Sequence, residues 1–129
     1  MSALAKIRRQ GFTLKPADDA GLYIEPINEL TDTQRQWLIE HKPETRRQLL
    51  DERWHWFLSL AEDHGIHRDV AAAEFPTDAD RLDMIEPKEH DDDRLRKCMA
   101  TLCNDVRVKQ RQHEYTAGRW VRFNPAHRS

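Results

Sequence analysis

Residues 43–64 read PETRRQLLDERWHWFLSLAEDH, and this stretch decides how the chain is built. At 100° per residue, Leu50, Trp54, Leu58 and Ala61 fall on one arc of a helix. Leu49, Trp56 and Leu60 fall on the adjacent arc, with Phe57 between them. The apolar arc spans about 200°, twice the minimal stripe of a surface helix. Such a helix is expected to be covered on two sides, by an N-terminal module and by a C-terminal half. Proline is well placed at a first helical position, so Lys42-Pro43 is expected to end one helix and start this one.

Working outward toward the N-terminus, Ser2 is a helix cap, Leu4 and Ile7 share a face, and Gly11 stops the helix. Phe12, Thr13 and Leu14 alternate as a strand does. Pro16 to Gly21 is rich in turn residues, and Leu22, Tyr23 and Ile24 form a second strand closed by Pro26. Two strands around a turn predict an antiparallel hairpin. Thr31 followed by Gln34 is a capping box, and the helix behind it carries Trp37 and Leu38.

Toward the C-terminus, Arg68 to Phe75 reads as a short helix ended by Pro76. Thr77 caps another over Asp78 to Ile85. A long helix is expected over about residues 92–115, with Leu95, Met99, Leu102 and Val106 as its core face. Arg96, Lys97, Arg107 and Arg111 fall on the opposite side, and Gly118 ends the helix. Trp120 to Phe123 alternates and predicts a short edge strand. The fold class is α+β, mainly helical, with a module over residues 1–50 and a helical extension over 51–129.

Composition narrows the function classes. Of 129 residues, 38% are hydrophobic and 34% charged, yet four Trp, four Phe and two Tyr exclude a wholly disordered chain. No run approaches the ~20 apolar residues of a membrane span. Met1 to Gln10 has no apolar signal core, so a cytoplasmic location is expected. The net charge is −2, unevenly spread. Residues 62–93 hold twelve acids and three Lys or Arg, whereas residues 94–128 hold nine Lys or Arg and two acids. Cys98 and Cys103 on one helix lie roughly 8 Å apart at Cα, too far for a relaxed disulfide, and are expected as thiols.

The first fifty residues resemble a known family. The residues that carry the likeness are Leu4, Ile7, Gly11 and Leu14, then Leu22, Ile24 and Pro26. Leu30, Thr31, Arg35 and Leu38 follow, then His41, Lys42, Pro43 and Glu44, closing with Leu49 and Leu50. The pattern is similar to the TubC N-terminal docking domain, an αββαα module of non-ribosomal peptide synthetase subunits. The resemblance implies a tendency to homodimerise and a hairpin that takes a short linear peptide as an added strand. Thr45, Arg46 and Arg47 stand where the family usually has apolar residues. Modules of this kind also occur in small phage and mobile-element proteins. The implied function is a non-catalytic docking or adaptor protein, as an accessory factor acting on a host complex.

The candidate partner-binding residues are Lys15, Leu22, Tyr23 and Ile24, on a hairpin with open edges. Lys15 is expected to meet an acidic peptide. The alternative is a nucleic-acid-associated protein that uses Arg96, Lys97, Arg107 and Arg111 to neutralise phosphates. No helix-turn-helix, zinc-finger or RNA-binding signature accompanies those residues. His64 and His67 are three apart around Gly65, and His90 precedes three aspartates, but no third metal ligand has a fitting offset. Asp78, Asp80 and Asp83 lack the glycine and terminal glutamate of a calcium loop. No catalytic residue, metal or cofactor is expected, and the expected partner is a protein or linear peptide.

Overall fold

The computed structural model describes residues 2–17, 20–86 and 91–119. It is mainly helical with one small sheet, an α+β fold. In chain order the elements are α1 (Ala3–Arg9), β1 (Thr13–Pro16), β2 (Leu22–Glu25), a 3-10 turn (Ile27–Glu29), α2 (Asp32–Asp63), α3 (Arg68–Ala72), α4 (Asp78–Ile85), α5 (Asp91–Cys103) and α6 (Val106–Thr116). Contacts divide the chain into two compact units. The first runs to Arg53 and takes in Glu86, and the second begins at Trp54.

In the first unit the local signals act as their chemistry requires. Ser2 Oγ accepts from the Ala5 N–H at 3.1 Å, and Gly11, at φ +93°, turns the chain out of α1. Thr31 Oγ1 accepts from the Gln34 N–H at 3.1 Å, and Gln34 Oε1 accepts from the Thr31 N–H at 2.9 Å. Both arms of the capping box are therefore closed. The core is Leu4, Ile7, Phe12, Leu14, Leu38 and Leu49, with Leu22, Ile24, Leu30 and Trp37 packed against it.

Pro43 does not divide two helices. It lies inside the continuous 32-residue α2, so the module has one helix after its hairpin where two were expected. An interior proline costs about 3 kcal/mol in lost hydrogen bonding and steric clash. The buried stripe overrides that cost. Leu38, Thr45 and Leu49 are all buried on one face, whereas Ile39 and Pro43 are exposed. The Ile39 carbonyl, which loses its donor, thus belongs to the exposed side of the helix. Nearby side chains brace the turns on either side. His41 Nδ1 lies 2.8 Å from the Trp37 carbonyl, and Thr45 Oγ1 donates to the His41 carbonyl at 2.8 Å. The Trp37 and His41 rings stack at 4.3 Å.

The second unit is built on aromatic packing. Phe75 meets Trp54 at 5.5 Å and Phe57 at 5.8 Å, both edge to face. Phe57, Val70, Leu95, Met99 and Val108 are buried. Thr77 Oγ1 accepts from the Asp80 N–H at 3.1 Å and caps α4. The single helix expected over about 92–115 is two helices, broken at Asn104-Asp105. Asp105 Oδ1 accepts from the Arg107 N–H at 2.8 Å and caps a new helix there. The break moves the expected core face. Leu95 and Met99 are buried, but Leu102 is only half-buried and Val106 is 80% exposed. Cys98 and Cys103 are both free thiols, and burial pushes the Cys103 thiol up. The edge strand expected at Trp120 to Phe123 lies outside the described residues.

Candidate functional site: the open edge of the hairpin

The hairpin pairs Thr13 with Glu25, Leu14 with Ile24, Lys15 with Tyr23 and Pro16 with Leu22. Its turn is closed by the Ala17 N–H donating to the Gly21 carbonyl at 3.0 Å. Ala20 takes φ +59°, the left-handed residue that a three-residue hairpin loop needs. The turn is held from α2. Arg46 Nη2 donates to the Ala17 carbonyl at 2.9 Å, and Arg46 Nε donates to the Gly21 carbonyl at 3.2 Å. The same guanidinium pairs with Glu86, and its side chain is only 11% exposed.

The hydrogen-bonding phase follows from the turn. Ala17 and Gly21 exchange a bond, so Lys15–Tyr23 and Thr13–Glu25 are the hydrogen-bonded pairs of the ladder. Leu14–Ile24 and Pro16–Leu22 are the alternate pairs, whose backbone groups point away from the partner strand. Pro16 has no N–H, so the outer edge of β1 is blunted without costing the ladder a bond. The outer edge of β2 is not blunted. Leu22 and Ile24 each turn an N–H and a C=O outward, and among the described residues none of these groups has a partner.

The four expected site residues therefore divide into two pairs. Lys15 and Tyr23 sit directly opposite each other on the solvent face, where Tyr23 is 63% exposed. Leu22 and Ile24 point to the other face and pack partly against the core. Toward the edge they present their backbones and the half-buried rim of their side chains. Lys15 is on β1, not on the strand whose edge is open. Arg46 was not foreseen as part of this site. Its contacts to Ala17, Gly21 and Glu86 are 25 to 40 residues away in sequence, where periodicity carries no signal. Pro16 was the readable clue to which edge stays open.

The four residues of the basic alternative are divided between two helices where one was expected. Arg96 and Lys97 are on α5, and Arg107 and Arg111 are on α6. Arg111 pairs with Glu74, and the Arg96 guanidinium lies 5.4 Å from the Trp56 ring centroid. Arg107 is exposed and 3.7 Å from Asp105. The Arg107 backbone N–H and its charge hold the Asp105 carboxyl below the usual range. Among the described residues Lys97 is exposed with no ion pair, and the phosphate-neutralising charge of the other three is shared with Glu74, Asp105 or the Trp56 ring.

The histidines have a structural part. His67 Nδ1 accepts from the Asp69 N–H at 3.1 Å and caps α3, while its ring stacks on Tyr115 at 4.5 Å. Among the described residues no three His, Cys, Asp or Glu side chains are grouped to hold a metal ion. His90 lies outside the described residues. Among those described, no helix is long and apolar enough to cross a membrane. No family model matches this chain, and no curated protein or solved structure matches it.

Proposed function

We propose that this protein is a non-catalytic docking protein that captures an extended segment of a partner protein as a third strand on β2. The observation that supports the reading is the outward N–H and C=O pairs of Leu22 and Ile24, unpartnered among the described residues. An open edge of this kind accepts a chain through main-chain hydrogen bonds, and flanking side chains select which chain. Tyr23 offers a large amphipathic surface beside that edge. The resemblance to TubC-type docking modules points the same way. The Arg46 clamp supports it further, because a held hairpin loses less freedom on binding than a loose one.

The test is proline substitution at Ile24, whose N–H points outward. Ile24→Pro removes one donor from the open edge and leaves the β1–β2 ladder its bonds. The Tyr23 N–H is used within the ladder, so the same change there would break the hairpin. Partner capture from a host lysate, measured after nuclease treatment, is expected to fall in Ile24→Pro while the circular dichroism spectrum is kept. Undiminished capture by a folded Ile24→Pro protein would reject the edge as the docking site.

A further inference from the structure

We infer that the strand taken up by β2 carries the pattern apolar–basic–apolar, a lysine or arginine between two hydrophobic residues. This inference rests on the docking reading above and specifies its ligand. The expectation from Lys15 alone was an acidic peptide, and the register of the hairpin reverses that sign.

An antiparallel segment added to β2 forms hydrogen-bonded pairs with Leu22 and Ile24, the residues whose backbones point outward. The side chains opposite those two lie on the inner face, beside the half-buried Leu22 and Ile24 that rim the core. Apolar side chains there extend an existing apolar surface. The residue between them sits opposite Tyr23 in the close, non-hydrogen-bonded type of pair, on the solvent face. Two groups of β2 occupy that face, the 63% exposed Tyr23 ring and the exposed Glu25 carboxylate. Glu25 has no ion-pair partner among the described residues and is the diagonal neighbour of the incoming residue, within reach of a long side chain. A guanidinium or ammonium can lie over the Tyr23 ring and meet Glu25 at once. A carboxylate in the same place meets the negative face of the ring and a like charge. Lys15 is the diagonal neighbour of Glu25 within the hairpin but makes no ion pair with it. It stands on the far strand, roughly 10 Å from the added chain at two strand spacings.

The experiment uses the full chain and two fluorescent peptides, identical except for a Val-Arg-Phe or a Val-Glu-Phe core, read by polarisation at low salt. The Val-Arg-Phe peptide is expected to bind about tenfold more tightly, from combined ring and carboxylate contacts. Glu25→Lys is expected to reverse the order, and Ile24→Pro to abolish both. Equal binding, or tighter binding of Val-Glu-Phe, that is still lost in Ile24→Pro would overturn the charge assignment and leave edge docking standing. Binding of neither peptide would overturn the docking reading itself. Residues Val121, Arg122 and Phe123 of this chain carry the same pattern. If Arg122→Glu in the full chain tightens Val-Arg-Phe binding, the occupant is the chain's own segment, and a foreign one is overturned.

Discussion

The hairpin and the α5–α6 pair were the two candidate surfaces, and they treat their polar groups in opposite ways. On the hairpin, Glu25 and the outward backbone of β2 have no partner among the described residues. On α5 and α6, charge is largely answered from within. Arg111 is paired with Glu74, Arg96 lies over Trp56, and Asp105 is bonded to the Arg107 backbone. Charge content alone therefore does not tell which groups fold without a partner. The nine basic residues of the C-terminal stretch attract more notice than a four-residue strand, but what matters is which groups fold without a partner.

The contrast can be broken most strongly through the packing beneath it. Phe57 is fully buried and meets two other rings in the second unit. Phe57→Ala is expected to lower stability by about 3–5 kcal/mol. Urea denaturation followed by tryptophan fluorescence measures this. A loss under about 1 kcal/mol would mean that the site collapses around the deletion.

Arg46→Met comes next, because it acts on the hairpin alone. The substitution keeps the apolar stem and strands two carbonyls and the Glu86 carboxylate. An effect of about 2–3 kcal/mol is expected, typical of hydrogen bonds to a charged group with little exposure. Amide exchange should accelerate at Ala17 and in β1 and β2, while amides of α5 and α6 keep their protection. Uniform acceleration would show that the two regions unfold as one.

A smaller effect tests surface charge. Arg8 holds Glu52 in a two-bond pair, both at 2.7 Å, and this hydrogen bond and charge pull the Glu52 carboxyl below its usual range. A depressed folded value means that the contribution is complete above the unfolded carboxyl's range and is lost as pH falls through the folded value. Both side chains are well exposed, so at most about 1 kcal/mol is at stake. Glu52→Gln should flatten the pH dependence of stability below pH 5 by that amount, as read from denaturation midpoints.

The smallest effect sharpens the comparison most. Tyr23→Thr removes an exposed ring but puts another strand-favouring residue, a β-branched one, in its place, so stability should change by less than about 0.5 kcal/mol. Affinity for the Val-Arg-Phe peptide should fall several-fold all the same. A residue whose loss is felt in binding and not in folding is the signature of a working surface.

Much of the hairpin was legible because its determinants are local. The alternation of Phe12 to Leu14, the turn residues after Pro16 and the Thr31–Gln34 box each act within four residues of themselves. Two boundaries were misjudged for opposite reasons. At Pro43 a strong local breaker lost to a buried stripe, Leu38 to Leu49, that lies on the other side of the helix. At Asn104-Asp105 an apolar spacing that continued to Val106 masked a local cap. The site was half legible. Lys15 and Tyr23 are opposite each other, but which edge stays open depends on hydrogen-bond phase, which residue type alone does not set.

The Arg46 clamp has a consequence for how this protein can change over generations. Arg46 grips the carbonyl oxygens of Ala17 and Gly21, and every amino acid carries a carbonyl oxygen. The grip is therefore blind to which side chains occupy the loop tip and sensitive only to how many residues it holds. Substitutions that keep the left-handed backbone at Ala20 leave the grip intact, whereas insertions and deletions do not. The hairpin is a frame of fixed length with a rewritable tip, so a lineage could retune what it displays beside the edge without rebuilding what holds it.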